Sequence, residues 1–347
     1  MLDMDYEKLL RRLCGIMSIS GNERGAFEEL KALLSDEFDE MYCDAARNIV
    51  LIKRSHKENR KKIMLDAHFD EVGMMVTGIT DEGFLRVISV GGIDRQLLPA
   101  SEVWVYGRER IYGVFAATPP HLAKPGQENK TPEWRELLVD IGCRDRQSAE
   151  LRVSVGDYVG YYYSGEELLN RRITGRGFDD KSCAAGLIMA VCGVSRDELE
   201  YDVYITLSSG EEIGGGGAKC AAYSIRPELA IITDVNFAQT PGVSGEEGGR
   251  LEGGPMVSLS AVTDRALTKN IIALADKIGV STSETVEPTS TGTNASCVYC
   301  VDEGIPVAVV GIPLAGMHSY NELLSLDDAD AFVRLFTEIV KTPELLA

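Results

Sequence analysis

The chain lacks any run of about 18 consecutive apolar residues, the least that a membrane-spanning helix needs. Its opening, MLDMDYEKLLRRLC, mixes acids and bases where a secretory signal would carry an apolar stretch. These absences exclude a span and a signal peptide, so a cytoplasmic location is expected. Basic residues are scarce as well: 35 Lys and Arg stand against 54 Asp and Glu, a net charge of −19. Such an excess repels polyanions, so neither nucleic acid nor an anionic membrane is an expected partner. Eight cysteines scattered over 347 residues are the usage of a reducing compartment, not of a disulfide scaffold. The Cys297-Val298-Tyr299-Cys300 tetrad has no second pair at zinc-site spacing, and its neighbours read as a buried helix face. Histidine is rarer still, with only four.

What is present is a foldable composition, 44% hydrophobic, in a chain longer than most single domains. Leu9, Leu10, Leu13, Ile16 and Met17 recur at helical spacing, Ser20-Gly21-Asn22 breaks the chain, and a second helix runs through Phe27, Leu30, Leu33, Leu34 and Phe38. Apolar strands follow at 48–52 and 63–67. From about Val72 to Tyr163 the texture changes to short β-branched runs such as Val103-Trp104-Val105-Tyr106, separated by turns. After Gly175 helices and strands alternate again, ending in a helix that starts at Ser325-Leu326-Asp327-Asp328. The expected fold is therefore a mixed-sheet α/β domain, 1–71 and 164–347, interrupted by a small β-barrel domain at 72–163.

Chemistry concentrates where those strands end, as it does in open α/β sheets. His68 closes the strand Ile63-Met64-Leu65-Asp66-Ala67, and Asp70 is placed to orient its ring by accepting the second N–H. Three acidic groups fall at other element boundaries: Asp179 and Asp180 before a helix, Glu211 and Glu212 after a strand, and Asp234 at the end of another. Singly, each reads as a helix cap or a solvated loop. Together with His318, beyond the strand at 306–310, they outline one site.

The strings SGNE, AHFDEVG, VGGIDRQLLPASEV, VDIGCRDRQSAE, GFDDK, SSGEEIGGGGA, TDVNFAQTPG and GIPLAGMHS, in this order and spacing, resemble the tetrahedral aminopeptidases. That family includes glutamyl and deblocking aminopeptidases and some proteins once labelled endoglucanases. The resemblance implies two divalent metals, bound by His68, Asp179 and Asp234 and by Asp179, Glu212 and His318, with Asp179 as the bridge. It implies Asp70 as the partner of His68, Glu211 as the general base, and a cis peptide between Asp179 and Asp180. Two imidazoles in the set favour zinc or cobalt over magnesium. The implied activity is removal of N-terminal residues from short peptides, by a homo-oligomer that in the family is a hollow dodecamer.

The inserted segment enters between Asp70 and Asp179. In related carboxypeptidases and deacylases the extra domain instead precedes the last ligand, so the insertion point sets this chain apart. Family members often carry GTDA where Gly292-Thr293-Asn294-Ala295 stands, and Lys181, Ala315 and Gly316 are further departures. These departures motivate one alternative, a catalytically silent assembly protein. Another is a glycosidase, which needs two carboxyls and no metal.

Overall fold

The computed structural model describes residues 5–58, 60–117, 130–162, 165–243, 248–343, 345 and 346. They form two compact units. One comprises Met1–Glu71, Gly165–Met317 and Glu322–Ala347; the other comprises Val72–Ser164 and His318–Asn321.

The larger unit is built on a mixed sheet that contains eight strands among the described residues. Across the sheet they run Glu40–Cys43, Ile49–Lys53, Tyr201–Ser208, Lys61–His68, Leu229–Phe237, Val307–Leu314, Met256–Ser260 and Ser283–Glu287. Four central neighbours, Tyr201–Ser208 to Val307–Leu314, are parallel. Each reads as a nearly continuous apolar run because it is covered on both faces. One face packs Leu65, Ile205, Ile231 and Val310 against the helices Tyr6–Gly15, Phe178–Cys192 and Leu326–Ile339. The other sets Met64, Tyr204, Ile232 and Val309 against Gly216–Ile225 and Ala295–Val298. Side chains alternate along a strand, so Asp66 and His68 share a parity with Met64. The last helix starts where the sequence indicates, with Ser325 Oγ accepting the Asp327 amide.

In the smaller unit six antiparallel strands close a barrel in the order Gly73–Ile79, Leu85–Val90, Leu138–Asp140, Arg110–Phe115, Glu102–Tyr106 and Tyr158–Tyr161. Val76, Val87, Val103, Val105, Val139 and Val159 fill it. Alternation places Glu102 and Trp104 outside and Val103 and Val105 inside. The mixed α/β sheet and the closed barrel agree with the fold read from the sequence.

Several boundaries differ. The strand expected to end at Asp234 runs Leu229–Phe237, which sets Asp234 inside it. The helix Ala295–Val298 stops short of Cys300. Cys300 and Tyr299 are exposed and Cys297 is half-buried, so the tetrad is no buried helix face.

Candidate metal centre

Two central parallel strands, Lys61–His68 and Leu229–Phe237, carry His68 and Asp234 toward their carboxyl ends. His68 is the last residue of its strand and is buried. Its Nδ1 lies 2.9 Å from the Asp70 carbonyl oxygen, which can only accept, so Nδ1 carries a proton. The Nε2 face is turned to carboxylates, with Asp179 Oδ1 at 2.9 Å and Asp234 Oδ1 at 3.6 Å. Burial disfavours the charged ring, yet these acids outweigh it and raise the His68 pKa.

Asp70 orients the ring through its backbone more closely than through its side chain. Its carboxylate stands 3.6 Å from Nδ1. Shorter contacts occupy that carboxylate: Ser20 Oγ at 2.6 Å, the Glu211 amide at 3.0 Å and the Glu212 amide at 3.2 Å. The side chain expected to hold the histidine thus grips the glutamate loop.

Glu211 and Glu212 lie on a 3-10 turn, Glu211–Ile213, entered through Gly210 in the left-handed region. The two side chains therefore diverge by rotation about a turn and not by strand alternation. Burial pushes Glu211 up to about 8, with Asp234, Glu212 and Asp179 adding to the rise against an opposing pull from His68. Burial likewise brings Asp234 up to about 6, opposed by His68 and aided by Asp179 and Glu212.

Asp179 opens the helix Phe178–Cys192 after Gly177, whose φ is 67° and whose missing side chain leaves room for Glu71. The Asp179–Asp180 peptide is cis. Asp180 is fully buried and belongs to neither donor group below. On the preceding side Glu71, Arg176 and Lys181 form a buried ionic cluster, with Glu71 Oε1 at 3.4 Å from Lys181 Nζ.

Two groups of donors result. One ligand atom each from His68, Asp179 and Asp234 lie within 4.8 Å of one another, and so do atoms of Asp179, Glu212 and His318. Imidazole and carboxylate are the donors that borderline divalent cations take, and a cation bound there would replace the proton that Nε2 otherwise shares with the Asp179 carboxylate at 2.9 Å. The residues therefore fit such ions. The Cys297–Cys300 pair enters no such group among the described residues; Cys297 Sγ instead meets the Gly214 carbonyl at 3.7 Å.

Sequence reasoning missed Asn294, Ser208 and Asp66 as a set. Asn294 Nδ2 donates to Asp66 Oδ2 and to Ser208 Oγ, both at 2.9 Å, beneath the His68 end of the sheet. The signal available was an aspartate inside an otherwise apolar strand. It also missed Ser20, which the SGNE string held in plain view.

Comparison with known proteins gives the family. The model of the M42 glutamyl aminopeptidase family matches residues 47–335. The chain is 30% identical to a lysyl aminopeptidase of Pyrococcus furiosus, over 96% of this chain and 95% of that protein. Among solved structures, an aminopeptidase from the archaeon Desulfurococcus kamchatkensis has a TM-score of 0.90 at 30% identity, with 98% and 96% of the two chains covered. The Pyrococcus horikoshii TET1 peptidase, which can assemble into a tetrahedron or a large octahedral shell, has a TM-score of 0.85 at 30% identity, with 97% and 99% covered. With a match spanning most of its length, and with its fold shared, the chain belongs to the M42 glutamyl aminopeptidase family.

Proposed function

We propose that this aminopeptidase-family chain removes single N-terminal residues from short peptides, using two divalent metal ions. The observation that carries the reading is Asp179, which belongs to both donor groups and so can bridge two ions. His68 and Asp234 complete one set; Glu212 and His318 complete the other. Zinc or cobalt suits the donors. When bound, the ions supply Lewis acidity and make a nearby water easier to deprotonate.

The chain's own residues do the rest. The Glu211 carboxylate receives a proton from the attacking water and passes it to the departing amine, a role suited to a carboxyl held near neutrality. Asp70 keeps Glu211 and Glu212 in register by accepting both amides. With Asp179, Asp234 and Glu212 assigned to the ions, the expectation of an exopeptidase rests on the aminopeptidase family to which the chain belongs.

Self-association is part of the proposal, with the inserted unit, 72–163 as read from the sequence, contributing to assembly and to substrate access. The likeness to a peptidase that builds shells supports it. So does an outward cluster on the barrel, where the Trp104, Tyr112 and Tyr162 rings meet edge-on or tilted with centroids within 6.0 Å and Arg110 lies over Trp104. A cytoplasmic setting fits eight cysteines that all remain free.

The test is hydrolysis of a panel of aminoacyl substrates and short peptides by protein stripped of metal and reloaded with Zn²⁺ or Co²⁺. Cleavage should require the metal, stop in a chelator, and fail on N-acetylated peptides. Full activity in the chelator would point to metal-free carboxyl chemistry. Two bound ions without any cleavage would sink the peptidase reading.

A further inference from the structure

We infer that Glu322 is a positioning residue for the metal centre: its carboxylate fixes the backbone of Asp179, and metal affinity depends on that grip. The inference rests on the metal-centre reading above and assigns a role to a residue outside both donor groups.

Glu322 begins the short strand Glu322–Ser325, which pairs antiparallel with Arg172–Gly175 and sets Glu322 opposite Gly175. The chain then turns at Gly177 and enters the helix that carries Asp179. A Cβ on Gly175 would lie 2.7 Å from the Phe178 ring, so only glycine lets that ring lie against the strand. With the ring seated there, the Phe178 amide meets Glu322 Oε2 at 2.6 Å and the Asp179 amide meets the same oxygen at 3.4 Å.

Both amides lie at the entrance of the helix Phe178–Cys192, ahead of its regular turns because Asp179 and Asp180 have non-helical φ/ψ, and amides at a helix entrance call for an acceptor from outside the helix. A side chain at the N-cap commonly takes that role, but here the N-cap is Gly177 and offers none. Glu322, 2% exposed and 144 residues away in sequence, supplies the acceptor. Its contact falls on the residue whose carboxylate is common to both donor groups, so a shift there displaces a donor of each. A charged acceptor also makes the hydrogen bond shorter and stronger than a neutral one would.

Glu322→Met and Glu322→Gln decide the matter. Both are neutral and near the length of Glu, and they differ in whether an acceptor oxygen remains. The readout is Co²⁺ affinity, obtained by titrating metal-free full-length protein and following visible absorption, beside the melting temperature of the metal-free form. Glu322→Met is expected to bind Co²⁺ roughly 10-fold to 100-fold more weakly, the range for residues that orient metal donors. Glu322→Gln is expected to stay closer to the parent than to the Met variant. Parent-like affinity in Glu322→Met, with or without a lowered melting temperature, assigns the residue a purely structural role and overturns the inference. So does a Gln variant as weak as Met. Should Glu322→Met not fold, Glu322→Asp stands in, because it withdraws the oxygen by one methylene, and the same outcomes apply. A parent chain that takes up no Co²⁺ is a separate result, and it overturns the metal centre itself.

Discussion

Asp70 Oδ1 accepts the backbone N–H of Glu211 at 3.0 Å, although 141 residues separate them in sequence. One side chain thereby joins the strand of His68 to the loop of the proposed base. Asp70→Asn turns an NH₂ toward one of the two loop amides, and should weaken metal binding or turnover by roughly 10-fold to 100-fold. Calorimetric metal titration checks this, and unchanged affinity would show that the loop holds itself.

Glu211→Gln preserves size and hydrogen bonding and removes basicity. It should keep both metals and near-normal stability while turnover falls at least about 100-fold, the lower range for a general base. A variant that keeps its metals and most of its activity would remove Glu211 from the mechanism.

The shared donor makes an asymmetric prediction about stoichiometry. Asp179→Asn should lose both ions, whereas His318→Ala should retain roughly one per chain, because each tetrahedral ion needs its own set of donors. Elemental analysis after reconstitution and gel filtration distinguishes the two. Equal losses would argue against a bridging Asp179.

Glu71 predicts a pH dependence. Burial pushes its pKa up, but Arg176 and Lys181 outweigh that and hold it below the usual glutamate value. A carboxyl whose pKa is lowered by folding stabilises the protein above its unfolded pKa and loses that stabilisation as pH falls through the folded value. Metal-free protein should therefore begin to lose stability below about pH 4.3, the unperturbed glutamate value, as this carboxylate is protonated. Glu71→Gln should flatten that acid limb and cost about 3–5 kcal/mol at neutral pH, since Arg176 and Lys181 stay buried without their carboxylate. Denaturant melts at pH 3 to 8 measure both effects.

Sedimentation at micromolar concentration should show a particle many times the 37.8 kDa chain, up to a dodecamer. Trp104→Ala with Tyr112→Ser should shift it toward smaller species if the aromatic cluster lies in the contacts. A fully active monomer would make assembly dispensable.

How far the sequence spoke depended on the range of the interaction. His68, Glu211, Glu212 and His318 announce themselves because polar residues interrupt strongly apolar or glycine-rich segments, and the barrel shows through its alternation. Partners set by tertiary approach do not. Nothing local says that Asp70 reaches Glu211, that Glu322 reaches Phe178, or that Asn294 meets Asp66. Nor does anything local say that the left-handed Gly210 curls the Glu211 segment into a turn. Strands such as Met256–Ser260 and Ser283–Glu287 escaped because polar, partly exposed positions interrupt their short runs.

The contact between Asn294 and Asp66 bears on which substitutions residue 294 accepts. Burial, tempered by the bonds from Asn294 and Ser208, leaves Asp66 with a pKa of about 7. Returning residue 294 to the aspartate of GTDA would face one buried carboxylate with another, 2.9 Å from where an amide now donates. The two positions are therefore expected to be coupled: Asn294→Asp alone should lower the melting temperature, and Asp66→Asn beside it should restore it.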